Sequence, residues 1–229
     1  MSPRRSVAGM RGALVIMAKA PRKGFVKTRL AGALPPCDVI QLSDCMLRDT
    51  LALAHSISGV HVAVMCPSED VDDLSARLPS GLHVVGQDGT GLAAALVSVF
   101  RHFVGDFGRV VAVDSDSPHL PPAILDSAFA LLDASDLVVG PTEDGGYYLV
   151  GASELYPALF DARPLGTSGA CEALRATARK LGLSVAITDP WYDVDVPADL
   201  SRLAVELQAA PERAPSTAAF LASWISAAR

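Results

Sequence analysis

Positive charge is in short supply in this 229-residue chain: 19 Lys and Arg stand against 25 Asp and Glu, for a formal net charge of −6. A general nucleic-acid binder needs a cationic face, so that class is disfavoured. Charge of either sign is low at 19%, and half of the residues are hydrophobic, which excludes a disordered chain. Cysteine is sparse. Cys37, Cys45, Cys66 and Cys171 form no close Cys-x-x-Cys pair, so the spacing of a zinc site or a dithiol redox motif is missing. They read as reduced thiols in or near the core of a cytoplasmic protein. No apolar run approaches the roughly 20 residues that cross a bilayer. Arg4, Arg5 and Arg11 precede an apolar stretch at 13–18, as in a secretory leader. That stretch is short, and Lys19 interrupts it where cleavage would fall, so it reads as a first strand.

What is present is a regular alternation of strand and helix. Ala13-Leu-Val-Ile-Met17 is a continuous apolar run, the signature of a central parallel strand covered on both faces. Further strands are expected at 60–66, 82–85, 109–113, 137–139, 147–150 and 184–188. Helices are expected at 38–54, 71–78, 92–103, 122–132, 169–181 and 198–208. This order implies right-handed crossovers and a mostly parallel sheet. Residues 1–11 read as a flexible lead, 12–208 as one nucleotide-binding domain and 209–229 as a linker and packing helix. The apolar side of that last helix carries Phe220, Leu221, Trp224 and Ile225. A homodimer contact is the alternative to packing.

Four segments carry chemistry, and ligands in such sheets bind beyond the carboxyl ends of the strands. Lys19, Arg22, Lys23, Lys27 and Arg29 place five cations in eleven positions after the first strand. Phosphate oxygens are the natural partner of such a concentration. Pro21 and Gly24 shape the turn. The glycine spacing is not that of a Walker A loop. Gly86-Gln87-Asp88-Gly89-Thr90-Gly91 is a second, glycine-rich turn. Asp114 and Asp116 end an apolar strand, and Asp193 and Asp195 repeat the same alternation later. Carboxylates at such tips suit Mg2+, which takes one or two of them plus phosphate oxygens. Asp199 falls in the first turn of a helix and reads as structural. Asp144-Gly145-Gly146-Tyr147 permits an unusual backbone path beside a ligand, or a hairpin turn. His119 reads as a surface-loop residue.

Taken together these segments resemble the DUF2064 transferases, also called rSAM/selenodomain-associated transferase 1, of the GT-A superfamily. The matching stretches are Pro21 to Leu30, Asp116-Ser117-Pro118, Gly140 to Tyr147 and Asp193 to Leu200. The resemblance spans about residues 12–205. A more distant likeness is to the 2-phospholactate guanylyltransferases, whose Gly-Leu-Asn-Ala-Ala-Leu segment appears here as Gly91 to Leu96 with Ala93 in place of Asn. Leu165 to Ser168 stands where the family often has Trp-Ser-Thr, and Val196 where Thr is common.

The resemblance implies a GT-A-like three-layer α/β/α sandwich with a Rossmann-like sheet, and a metal-dependent transferase. Lys19, Pro21, Lys23, Gly24, Lys27, Thr28 and Arg29 would hold the nucleotide's phosphates, together with Gln87, Gly89, Gly91 and Leu92. Asp144, Gly145, Gly146, Tyr147 and Thr167 would face a small-molecule acceptor. Asp116, Asp193 and Asp195 would hold Mg2+ or Mn2+. Lys27, Arg29 and Asp116 would act on the reacting phosphate. Nucleotidyl transfer from a nucleoside triphosphate is favoured by the cationic loop. Glycosyl transfer from a nucleotide sugar is the alternative, and a non-catalytic nucleotide binder the second.

Overall fold

A computed structural model of the chain describes residues 9–22, 24, 26–30, 32–160 and 168–227. Its strands are β1 (Gly12–Met17), β2 (Val60–Cys66), β3 (His83–Gly86), β4 (Val110–Asp114), β5 (Leu137–Pro141), β6 (Tyr147–Ala152) and β7 (Val185–Ile187). They form one seven-stranded sheet in the order β3-β2-β1-β4-β6-β5-β7. The helices are α1 (Pro36–Ser56), α2 (Val71–Arg77), α3 (Gly91–Phe107), α4 (Pro122–Leu131), α5 (Ala170–Lys180), α6 (Pro197–Ala209) and α7 (Pro215–Ala227). No helix among the described residues is long and apolar enough to cross a membrane.

Side chains alternate across a strand, and β1 feeds two cores in this way. Leu14 and Ile16 meet Leu47 and Leu51 of α1 and Ile124, Leu125 and Phe129 of α4. Ala13 and Val15 face the other side, against Leu96, Val99, Phe100 and Phe103 of α3 and Leu174 of α5. The result is the three-layer α/β/α sandwich expected from the sequence. A third core lies outside α1, where Leu42 and Met46 pack on Leu203 of α6 and Phe220 and Leu221 of α7. The terminal helix therefore packs, and it begins three residues before the expected 218. Its first turn is capped from another helix: Ser216 N and Thr217 N donate to the two carboxylate oxygens of Asp49 at 3.0 and 2.7 Å.

All pairings are parallel except those of β6, which runs antiparallel to both β4 and β5. The reversal follows from the turn at 142–146. Thr142 N donates to Gly146 O at 3.0 Å and Gly145 N to Thr142 O at 3.1 Å, with Gly145 at φ +93°. The Asp-Gly-Gly stretch is thus a hairpin turn. Because β6 starts where its neighbours end, this turn joins the carboxyl ends of β1, β3, β4, β5 and β7 at one edge of the sheet.

Candidate functional site

The loop leaving β1 is rooted by a carboxylate fifty residues away. Ala20 N donates to Asp70 Oδ2 at 2.9 Å, and the Arg22 guanidinium pairs with the other oxygen. Asp70 is 2% exposed. Sequence inspection missed this residue; its only signal is a carboxylate following Pro67 at the end of β2. Farther along, Lys27 has φ +45°, a left-handed conformation that costs a residue with a Cβ roughly 1–2 kcal/mol. Its ammonium compensates. Nζ lies 2.7 Å from Val194 O, 2.8 Å from Asp116 Oδ1 and 3.2 Å from Asp195 Oδ1. The Lys27 side chain is 5% exposed. Lys27 was expected to reach out to phosphate; here it turns inward onto carboxylates.

One backbone bond and one serine hydroxyl bring the two acidic stretches together. Val194 N donates to Asp116 O at 3.0 Å, and Ser117 Oγ to Tyr192 O at 3.1 Å. Asp116 N donates to Asp114 Oδ1 at 3.0 Å, which shapes the turn off β4. Asp199 Oδ2 accepts from Asp195 N and Val196 N at 3.0 and 2.8 Å, closing the first turn of α6 in the structural role expected of it.

The electrostatics follow from this crowding. Burial, then Asp195, raises the Asp193 carboxyl to about 6, and Asp144 and Asp116 push the same way. Burial, Asp116 and Asp193 hold Asp114 well above the usual carboxylate range. Burial pulls the Lys27 ammonium down, but Asp116 and Asp195 outweigh it and leave it raised. Asp144 is lowered, because the Thr142 hydroxyl and Gly146 N–H donate to it and Arg29 lies near. One ammonium thus serves more carboxylates than it can neutralise. Among the described residues no group of three or more His, Cys, Asp or Glu side chains forms a ready cage for a metal. The oxygen donors nonetheless suit a hard cation completed by phosphate and water. Lys27 marks the point where Asp116, Asp195 and the Val194 carbonyl converge.

This point opens on a cleft of about 940 Å³, whose lining includes Lys19, Arg29, Asp114, Asp116, Asp193 and Asp195. Lys19 is exposed, and the Arg29 side chain is 65% exposed, with Nη1 3.5 Å from Asp195 Oδ2. Pro21, Gly24 and Thr28 belong to the same loop but do not line the cleft. Lys23 and Thr167 lie outside the described residues. Gln87, Gly89, Gly91 and Leu92 line the cleft. The Gln87 amide is buried and donates to Gly89 O at 3.0 Å, so it shapes the turn. Gly89 and Gly91 have φ +78° and +83°, as the sharp entry to α3 requires. The N-terminus of α3 adds backbone N–H groups suited to an anion.

Asp144, Gly146 and Tyr147, expected to face an acceptor, line the cleft. Gly145 does not; its carbonyl accepts from Gly169 N and Cys171 N at 3.1 Å each and caps α5. The Tyr147 hydroxyl is buried and has no hydrogen-bond partner among the described residues. His119 corrects the expectation of a surface residue. It is 0% exposed, Trp191 Nε1 donates to its Nε2 at 3.1 Å, and Tyr192 packs on its ring. Burial, aided by Arg213 and Arg202, lowers it to about 3.

With this geometry the chain is similar to several solved proteins, although no curated protein matches it. A protein of Desulfovibrio desulfuricans G20, provisionally named a nucleotide-diphospho-sugar transferase, is 25% identical with a TM-score of 0.86, covering 93% of this chain and 95% of that one. The 4-diphosphocytidyl-2C-methyl-D-erythritol synthase of Anaerococcus prevotii DSM 20548 shares the fold at 10% identity and TM-score 0.58, over 86% of this chain and 97% of its own. A Mycobacterium tuberculosis H37Rv protein solved with manganese does so at 19% identity and TM-score 0.53, over 84% and 97%. The fold is that of the GT-A-like nucleotide-handling transferases. The bacterial family described as "Uncharacterized protein conserved in bacteria (DUF2064)" matches residues 38–167, more than half of the chain, and the chain belongs to that family.

Proposed function

We propose that the protein is a metal-dependent nucleotidyltransferase. A phosphate oxygen of a small-molecule acceptor attacks the α-phosphorus of a nucleoside triphosphate, the bond to the β-phosphate oxygen breaks, and pyrophosphate leaves with the electron pair. The observation that carries this reading is the convergence of Asp116 and Asp195 on one ammonium, at a cleft also lined by Asp193, Lys19, Arg29 and the first turn of α3. Asp116 and Asp195, with Asp193 beside them, are the residues that would hold Mg2+ or Mn2+. Such an ion neutralises phosphate charge and orients the reacting oxygens. Arg29 and Lys19 supply cationic side chains for the β- and γ-phosphates, and the α3 N-terminus supplies N–H donors. An acceptor phosphate is ionised at neutral pH and needs no base. His119 cannot serve as one, since its Nε2 is engaged by Trp191 and the ring is buried. The diphosphocytidyl-methylerythritol synthase and the manganese-bound protein that share the fold are consistent with this reading.

Glycosyl transfer is the second reading, favoured by the name of the Desulfovibrio relative. The two separate in a thermal-shift screen with Mg2+ or Mn2+ present. Nucleoside triphosphates should stabilise the protein more than nucleotide sugars do. The reverse order would favour glycosyl transfer. In a pyrophosphate-release assay Asp116→Asn should lower turnover by at least about 100-fold while the protein still folds and unfolds cooperatively. Near-normal turnover would remove Asp116 from the mechanism.

A further inference from the structure

We propose that Lys27 is an internal stand-in for the divalent cation: its ammonium occupies the cation seat until a metal enters, and is then released toward the nucleotide. The inference rests on reading Asp116 and Asp195 as cation ligands; it does not depend on which transfer reaction follows. An ammonium carries three N–H donors. In Lys27 all three have an oxygen within reach, at 2.7 Å (Val194), 2.8 Å (Asp116) and 3.2 Å (Asp195). Nothing on Nζ remains for a phosphate, and the side chain is 5% exposed. In this arrangement Lys27 therefore cannot bind substrate, although it borders the cleft.

The seat is open to replacement. The Asp116 and Asp195 side chains are 37% and 38% exposed, so a solvated cation can approach from the cleft. Arg29 Nη1, 3.5 Å from the second oxygen of Asp195, stays to hold that carboxylate when Lys27 leaves. The left-handed backbone of Lys27 is strained for a residue with a Cβ, so release of its ammonium removes the contacts that offset that strain. An empty acidic cluster would repel itself open. A tethered ammonium keeps it assembled, at the cost of competing with the metal.

Competition predicts a gain where a phosphate-binding role predicts none. On the full chain without nucleotide, Mn2+ binding is measured by electron paramagnetic resonance for the native protein, Lys27→Met and Lys27→Arg. Lys27→Met should bind Mn2+ at least about tenfold more tightly than the native chain, because the competing state is gone. Lys27→Arg, which keeps the charge, should not. Equal or weaker binding by Lys27→Met overturns the proposal.

A second measurement needs no variant. Lys27 of the native chain, mapped by mass spectrometry after amine-selective labelling, should be protected without Mn2+ and labelled with it. Protection that persists at saturating Mn2+ also overturns the proposal. Lysine release without pyrophosphate release from any acceptor would leave this inference standing and sink the reaction proposed above.

Discussion

His119 shows how far a single residue's setting departs from its letter. After Asp116-Ser117-Pro118 it reads as part of a polar surface loop, yet Trp191 and Tyr192, some seventy positions later, enclose it. That burial has a sign in pH. A histidine lowered from about 6.5 to about 3 in the folded state binds its proton only on unfolding. Its contribution is therefore complete above pH 6.5 and is lost as the solution is acidified from there toward 3. At pH 5 the loss amounts to about 2 kcal/mol. His119→Gln keeps an acceptor for Trp191 and does not titrate, so its melting temperature should fall less than the native one between pH 7 and 5. Parallel decline of the two proteins would contradict the assignment. Asp70 escaped the sequence for a similar reason: it acts on Ala20, fifty residues upstream, and no local pattern marks it. That Asp116, Asp193 and Asp195 line one cleft was legible in part: Asp116 follows the apolar run of β4 directly, whereas Asp193 and Asp195 lie in irregular backbone beyond β7 and only their alternate spacing marked them. The inward turn of Lys27 was not, since it depends on where those carboxylates finally stand.

At the scale of elements, the strands were the most readable feature. Continuous apolar runs such as 13–17 leave no polar face to solvent and so announce a buried parallel strand. Ends shifted by a few residues, as when α3 ran on to Phe107. The insertion of β6 between β4 and β5 was not readable, because pairing across the sheet is non-local. Gly140 on β5 records what that pairing demands. A Cβ there would lie 2.6 Å from Tyr148 Cζ and 2.9 Å from Thr188 Oγ1. It would push apart the bond between the Tyr148 hydroxyl and Thr188, 2.9 Å long. Gly140→Ala should therefore destabilise by roughly 1–3 kcal/mol in urea unfolding. A loss below about 0.5 kcal/mol would mean that β6 yields more easily than its packing suggests.

For the whole molecule, the third core joins the chain's end to its first helix. Composition marked 209–229 as a linker and helix, while the surface it would cover depended on α1 and α6 meeting. Asp49 is the clasp, 3% exposed, holding Ser216 N and Thr217 N. Asp49→Ala strands two N–H groups at a helix start and should cost about 1–2 kcal/mol. Amide exchange over 215–227 should accelerate while β1 and β4 stay protected. Unaltered exchange in that helix would show the clasp to be dispensable. The antiparallel course of β6 has a broader effect. By starting where the others finish, β6 crowds a further connection onto a rim that parallel strands alone would leave sparser. The cleft draws its lining from those adjoining turns, so a substitution there alters the cleft while the scaffold beneath is left as it is.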